Sequence, residues 1–186
     1  MRKTFIFFVV VLLLAGCLRR PWTPTSSETD YVATFQNVSV RLPDDWMLRS
    51  DQDDILLVTR DGVLLQNVIV AAIGVDDELK YTKKKFSRGM LPLEQAEVVL
   101  DNMESDPARN AFKVLSKKPA EVDGHDAFRV EISFKDEDGL LYKGIMYGFM
   151  QNNWFYLVRY VAPNRHYFSR DQDKFEDVVK SLKLLI

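Results

Sequence analysis

The chain has two histidines, His125 and His166, and a general acid or base working near neutral pH would be sought there first. Ser169 and Asp171 follow His166 closely, so a nucleophile, a base and an orienting carboxylate can all be drawn from one short stretch. Ser169 has a simpler use. Ser169-Arg170-Asp171-Gln172 fits a capping box, in which the serine accepts from an orphan helix N–H and the glutamine reaches back. His125 sits beside the turn pair Asp123-Gly124, and both histidines read as turn or surface residues. Asp44, Asp45, Asp51, Asp53 and Asp54 are crowded, but they lack the alternating ligands, glycine and late glutamate of a calcium loop. Asp136 and Asp138 are two acids of an ordinary hairpin turn. No glycine-rich phosphate loop, HExxH or GxSxG occurs. No carboxylate pair has an apolar setting that would raise one pKa. No catalytic residue, cofactor or metal ligand is assigned, and the chain reads as a non-enzyme.

Cys17, the only cysteine, is the one residue whose chemistry its surroundings specify. Arg2 and Lys3 open the chain, ten apolar residues follow from Phe5 to Leu14, and Ala15-Gly16 precede the cysteine. The apolar run is half of the roughly 20 residues a spanning helix needs, and the layout is that of a secretory signal. Leu14-Ala15-Gly16-Cys17 closely resembles the lipobox of bacterial lipoproteins. The resemblance implies a signal peptide over residues 1–16, cleavage before Cys17, and diacylglyceryl modification of that residue as the lipid attachment site. Two or more acyl chains would then anchor the protein stably to a membrane. Lipoproteins kept at the inner membrane of Gram-negative cells carry aspartate after the cysteine. Leu18 stands there instead, which implies the outer membrane, facing the periplasm.

Those expectations organise the rest of the chain. Residues 17–34 read as the lipidated cysteine plus a flexible tether, because residues 18–30 are rich in Pro, Ser and Thr and show no apolar period. Within it, Trp22 is either a headgroup-level tryptophan or a large linker residue, the second being preferred. Residues 35–186 read as one domain, within the size range of a single core. The whole chain carries a net charge of −2, and an exported, mildly acidic protein has no reason to bind nucleic acid. With Cys17 lipidated no thiol remains, so disulfides and thiol chemistry drop out.

Val38, Val40 and Leu42 alternate with Ser39 and Arg41 as a half-buried strand, and Trp46 behind it reads as a core plug. Residues 55–60 and 63–75 form a hairpin around Asp61-Gly62, which suits a tight type I′ turn. The run from Val68 to Ile73 is apolar on both faces, as a strand covered on both sides would be. Lys80, Lys84 and Arg88, four apart, would share a helical face and meet anionic headgroups. An exposed, flexible connection is the preferred reading, since a long tether need not hold the domain at a membrane. Pro92 suits a first helical position, and Leu93, Ala96, Val99, Leu100 and Met103 make a core stripe ended by Asp106-Pro107. Residues 112–162 read as a four-strand antiparallel meander with turns at Asp123-Gly124, 136–139 and Asn152-Asn153. Phe175, Val178, Val179 and Leu182 give the inner face of a closing helix.

That order resembles the PsbP-like fold. The resemblance is carried by Val40-Arg41-Leu42-Pro43-Asp44-Asp45-Trp46 and by the ending Tyr156, Tyr160-Val161-Ala162-Pro163, Phe168, Phe175-Glu176 and Ser181-Leu182. It implies an α+β class, an α/β/α sandwich in which a central antiparallel sheet is covered by helices on both faces. It also implies a non-catalytic assembly or binding factor, though it transfers no binding residue. The expectation is a lipid-anchored envelope protein that binds another protein, using an exposed share of Trp46, Phe149, Trp154, Tyr156, Tyr160 and Tyr167. The alternative is a small-ligand binder with a pocket between sheet and helix, and the remotest reading is an unfamiliar hydrolase.

Overall fold

A computed structural model describes residues 21–33, 37–49 and 55–185. Its framework is an eight-stranded sheet in the order β1-β4-β5-β6-β10-β9-β8-β7. The strands are β1 (Trp22–Pro24), β4 (Met47–Arg49), β5 (Ile55–Thr59), β6 (Asn67–Gly74), β7 (Asn110–Val122), β8 (His125–Lys135), β9 (Leu141–Gln151) and β10 (Trp154–Pro163). A small second sheet, in the order β11-β3-β2, is made by β2 (Asp30–Ala33), β3 (Val38–Arg41) and β11 (Lys183–Leu184). Every pairing in both sheets is antiparallel.

Strand β7 to strand β10 form the expected meander. Its turns work because Asp123, Gly124, Asn152, Asn153 and Gly139 all take positive φ, which aspartate, asparagine and glycine tolerate best. In the wider turn Asp136 Oδ1 accepts from the Leu140 N–H at 2.8 Å, so this acid serves the hairpin. The meander joins the first half of the chain through β10 and β6, paired from Trp154–Gly74 to Val161–Asn67.

The expected α/β/α sandwich is not what forms. Among the described residues there are two helices, α1 (Pro92–Glu104) and α2 (Tyr167–Ser181), too little helix to cover eight strands. On one face α2 shares the cover with the small sheet, and Val38, Val40, Leu42 and Trp46 pack with Phe168, Phe175 and Val178 on Val70, Val158 and Tyr160. On the other face α1 is joined by the irregular segment 75–91, which sends Val75, Leu79 and Phe86 into a core with Val130, Met146 and Phe155. The molecule is therefore a predominantly β protein. Apolar strand faces require cover, and they do not dictate that the cover be helical.

Several local expectations also change. Residues 22–24 and 30–33, read above as part of the tether, are strands. Strand β1 pairs with β4, Trp22 opposite Arg49, and Thr25 is buried with its hydroxyl on the Pro43 carbonyl at 2.5 Å. Trp22 is half-buried with the Arg49 guanidinium 6.0 Å from its ring centre. The β5–β6 hairpin exists, but Asp61-Gly62 is not a two-residue turn. Residues 60–66 make a wider loop, with Leu65 and Gln66 N–H groups donating to the Gly62 carbonyl. Helix α2 starts at Tyr167, ahead of the expected box, so Ser169 lies inside its first turn and caps nothing. Segment 80–88 is not helical, which cancels the proposed basic face.

Candidate functional site

Among the described residues no hydrogen bond joins the residues that sequence logic could combine into a catalytic set. His166 is exposed at the start of α2 with φ 73°, its ring edge-on to Tyr167. Asp171, fully buried, is committed elsewhere: it accepts from Arg60 at 3.1 Å, from Gln66 Nε2 at 2.8 Å and from Arg170 Nε at 2.8 Å. Burial raises the pKa of this carboxyl, but the hydrogen bonds and charge of Arg170, then of Arg60, outweigh it and hold Asp171 below the usual carboxylate range. Arg170 also pairs with Asp61, so the cluster fastens the 60–66 loop to α2. It is a structural clamp. His125 lies flat against Phe149, ring centres 5.4 Å apart. Asp44 accepts from the Ser27 N–H and hydroxyl, each at 2.7 Å. Asp51, Asp53, Asp54 and Cys17 lie outside the described residues. Among the described residues no three His, Cys, Asp or Glu side chains converge as metal ligands.

The aromatic residues expected at an interface are inside. Trp46, Phe149, Tyr156 and Tyr160 are buried, while Trp154 and Tyr167 are half-buried. Tyr160 shows the reason: its ring stacks on Phe168 and Phe175, and its hydroxyl donates to the Tyr167 carbonyl at 2.9 Å. The exposed apolar groups are aliphatic. Leu64 is 85% exposed, and Leu65, Leu140 and Leu141 are exposed beside it at one end of the large sheet. Two loops far apart in sequence are pinned there by Tyr142, whose hydroxyl donates to the Leu64 carbonyl at 2.9 Å. Asn164 N–H reinforces the corner by donating to the Leu141 carbonyl at 2.8 Å.

Among the described residues two concavities stand out. The larger, about 500 Å³, is an open cleft between the end of β3 and α2. Most of its charges are already matched: Arg41 to Asp30, Lys180 to Asp177, Lys174 to Asp171, and Asp44 to Ser27. The smaller, about 280 Å³, lies between α1, segment 79–81 and the sheet. Arg159 of β10 enters it among Leu79, Val99, Phe155 and Leu157. Its Nε is buried without a partner, and among the described residues its guanidinium makes no hydrogen bond or ion pair. Burial, with the nearby Arg109 charge, lowers its pKa to about 10 against the pull of Asp106, so it is still a cation at neutral pH. Arg159 as a whole is half-buried, and Nε is the buried part of its guanidinium. Sequence reading missed this residue, although a lone arginine in a strand otherwise apolar on both faces was a visible signal.

The PsbP family profile matches residues 28–184. The chain belongs to the PsbP family. This PsbP-family domain is also similar in fold to solved structures. One is the solution structure of cyanobacterial PsbP (CyanoP) from Synechocystis sp. PCC 6803, 11% identical over 84% of this chain and 91% of that one, TM-score 0.57. Another is the Ran-binding protein Mog1p of Saccharomyces cerevisiae, 9% identical over 84% and 95% respectively, TM-score 0.56. A crystal structure from Bacteroides thetaiotaomicron VPI-5482 is 12% identical with TM-score 0.51, covering 86% of this chain, which spans about half (49%) of that longer one. At such identities the likeness concerns fold alone. No curated protein matches the sequence.

Proposed function

We propose that this PsbP-family protein is a non-catalytic, lipid-anchored accessory factor of the bacterial cell envelope that docks another envelope protein. The observation that carries the docking is the exposed leucine corner, Leu64 and Leu65 beside Leu140 and Leu141. Isolated surface leucines are ordinary, but several exposed on two loops that Tyr142 ties together at one end of the sheet offer an apolar surface of the kind that marks a protein contact. The corner is rigid before any partner arrives, because the Asp171 clamp and the Tyr142 hydroxyl hold the 60–66 loop from both sides. Preorganisation of that sort lowers the entropic cost of association. The envelope setting is supported by the signal-like N-terminus and the resemblance of Leu14-Ala15-Gly16-Cys17 to a lipobox, and an accessory rather than catalytic role by family membership and the dispersal of the histidines.

A photo-crosslinking side chain at position 64 in living cells, with mass spectrometry of the adduct, tests the docking. One discrete protein adduct is expected, absent when the probe stands at Glu121 and lost on Leu140→Ser. Adducts of equal yield from both positions, or one insensitive to Leu140→Ser, would remove the leucine corner as the docking surface.

A further inference from the structure

The pocket around Arg159 holds a charge that the fold itself leaves unanswered. Lys80, Arg109 and Arg159 meet there with one carboxylate, Asp106. Asp106 is taken: its Oδ2 lies 2.9 Å from Arg109 Nη1, and its Oδ1 accepts from the Ala108 N–H at 3.1 Å. Arg109 also donates to the Met103 carbonyl at 3.3 Å. Lys80 sits at the rim with its ammonium 4.7 Å from the Tyr81 ring centre. Among the described residues neither Lys80 nor Arg159 has an acid or a carbonyl to bond, and of the two only Arg159 has a buried nitrogen without a partner. One further donor faces the same space. Asn102 uses its Oδ1 for the N–H groups of Tyr81 and Thr82, at 2.9 and 3.4 Å, so its amide N–H groups are uncommitted. The walls besides these are Ile73, Leu79, Val99, Met103, Phe155 and Leu157.

We propose that this pocket binds a small organic acid, with the carboxylate gripped by Arg159 and the Asn102 amide and a short apolar body lying against the walls between α1 and the sheet. The planar guanidinium fork matches a carboxylate bidentately, and one carboxylate would neutralise Arg159 while Lys80 stays at the rim. The volume sets the size of the body. About 280 Å³ is at the small end for ligand pockets and corresponds to roughly nine waters at about 30 Å³ each. A chain of about four to eight carbons fits. The inference stands apart from the leucine corner, which lies outside the residues lining this pocket.

The test uses the full-length protein in a mild detergent at constant ionic strength, with thermal unfolding followed against acetate, hexanoate, hexanol, hexylamine and inorganic phosphate. Hexanoate is expected to raise Tm progressively with concentration, as a ligand of the native state must, while hexanol and hexylamine do not. Arg159→Met removes the charge and keeps the stem, so its ligand-free Tm should equal or exceed that of the wild type while the hexanoate shift disappears. Asn102→Asp retains the acceptor for the Tyr81 and Thr82 N–H groups and supplies Arg159 with an internal carboxylate. It should fold normally and weaken hexanoate binding at least tenfold. Equal shifts from hexanol and hexanoate, an undiminished shift in both variants, or no shift with any carboxylate would overturn the proposal. A shift with phosphate alone would overturn the assignment of a carboxylate.

Discussion

A single methyl-scale detail governs how one face of the large sheet is packed. Gly148 on β9 stands between Phe128 and Phe155, and a Cβ built there would lie 2.6 Å from the ring tips of both. Both phenylalanines are fully buried, and Phe155 carries the stack with Phe86, ring centres 4.1 Å apart, that closes segment 75–91 over the sheet. Neither ring can swing outward without opening that cover. Gly148→Ala is therefore expected to destabilise by about 2 kcal/mol, within the range for overpacking a filled core, and denaturant unfolding measures it. An unchanged midpoint would mean that the rings yield freely. Arg159 is the opposite case at the same scale, a residue that the packing tolerates rather than demands. The alternation of Phe128, Val130, Ile132 and Phe134 made the inward face of β8 legible in the sequence. Periodicity could not report that one arginine two strands away lacked a counter-charge, because that depends on which acids the loops bring near it.

At the scale of elements, the Asp171 clamp decides how the closing helix meets the first half of the chain. Asp171 in α2 reaches the 60–66 loop through Arg60 and Gln66. Because its folded pKa lies below the unfolded value, the clamp stabilises the fold fully above about pH 4, the ordinary aspartate value. That contribution is lost as pH falls through the lowered folded pKa, since the unfolded chain then binds the proton more readily. Asp171→Asn should cost about 3 kcal/mol at pH 7, as breaking one side of a buried ion pair does. The gap to wild type should narrow below pH 4, where wild type loses the same contribution. Parallel pH–stability curves would show that the carboxylate charge is not what holds the loop. Most strands and both helices could be located from apolar period and turn residues. The capping box at Ser169 was misread because its pattern fits equally a buried acid one turn inside the helix. Asp61-Gly62 misled for a related reason: the dipeptide permits a tight turn, but Gln66 is fully buried, with its amide donating to Asp171, and that contact needs the wider loop.

Across the whole molecule, the sheet begins much nearer the proposed anchor than a tether through residue 34 would place it. Short polar segments such as residues 22–33 have no periodicity of their own and become strands only because β4 and β3 offer edges to pair with. That is why sequence alone assigned them to a linker. The far edge is guarded differently: β7 carries Lys113, Lys117, Lys118 and Pro119 along with two register shifts, the features that discourage a further strand from adding. With β1 starting at Trp22, five residue steps separate it from Cys17, which at full extension span about 17 Å. A lipidated Cys17 would thus hold the β1–β4 edge close to the headgroups and present the domain to membrane-associated partners. Among the described residues no helix is long and apolar enough to cross a membrane, so attachment on this reading depends on the acyl chains. Wild-type protein should incorporate labelled palmitate in cells and partition with the membrane fraction. Cys17→Ala should incorporate none and accumulate as a longer, uncleaved precursor, as the resemblance to a lipobox implies. A Cys17→Ala protein that matured to the wild-type length would show an ordinary signal cleavage and remove the anchor, and with it the short reach to the membrane.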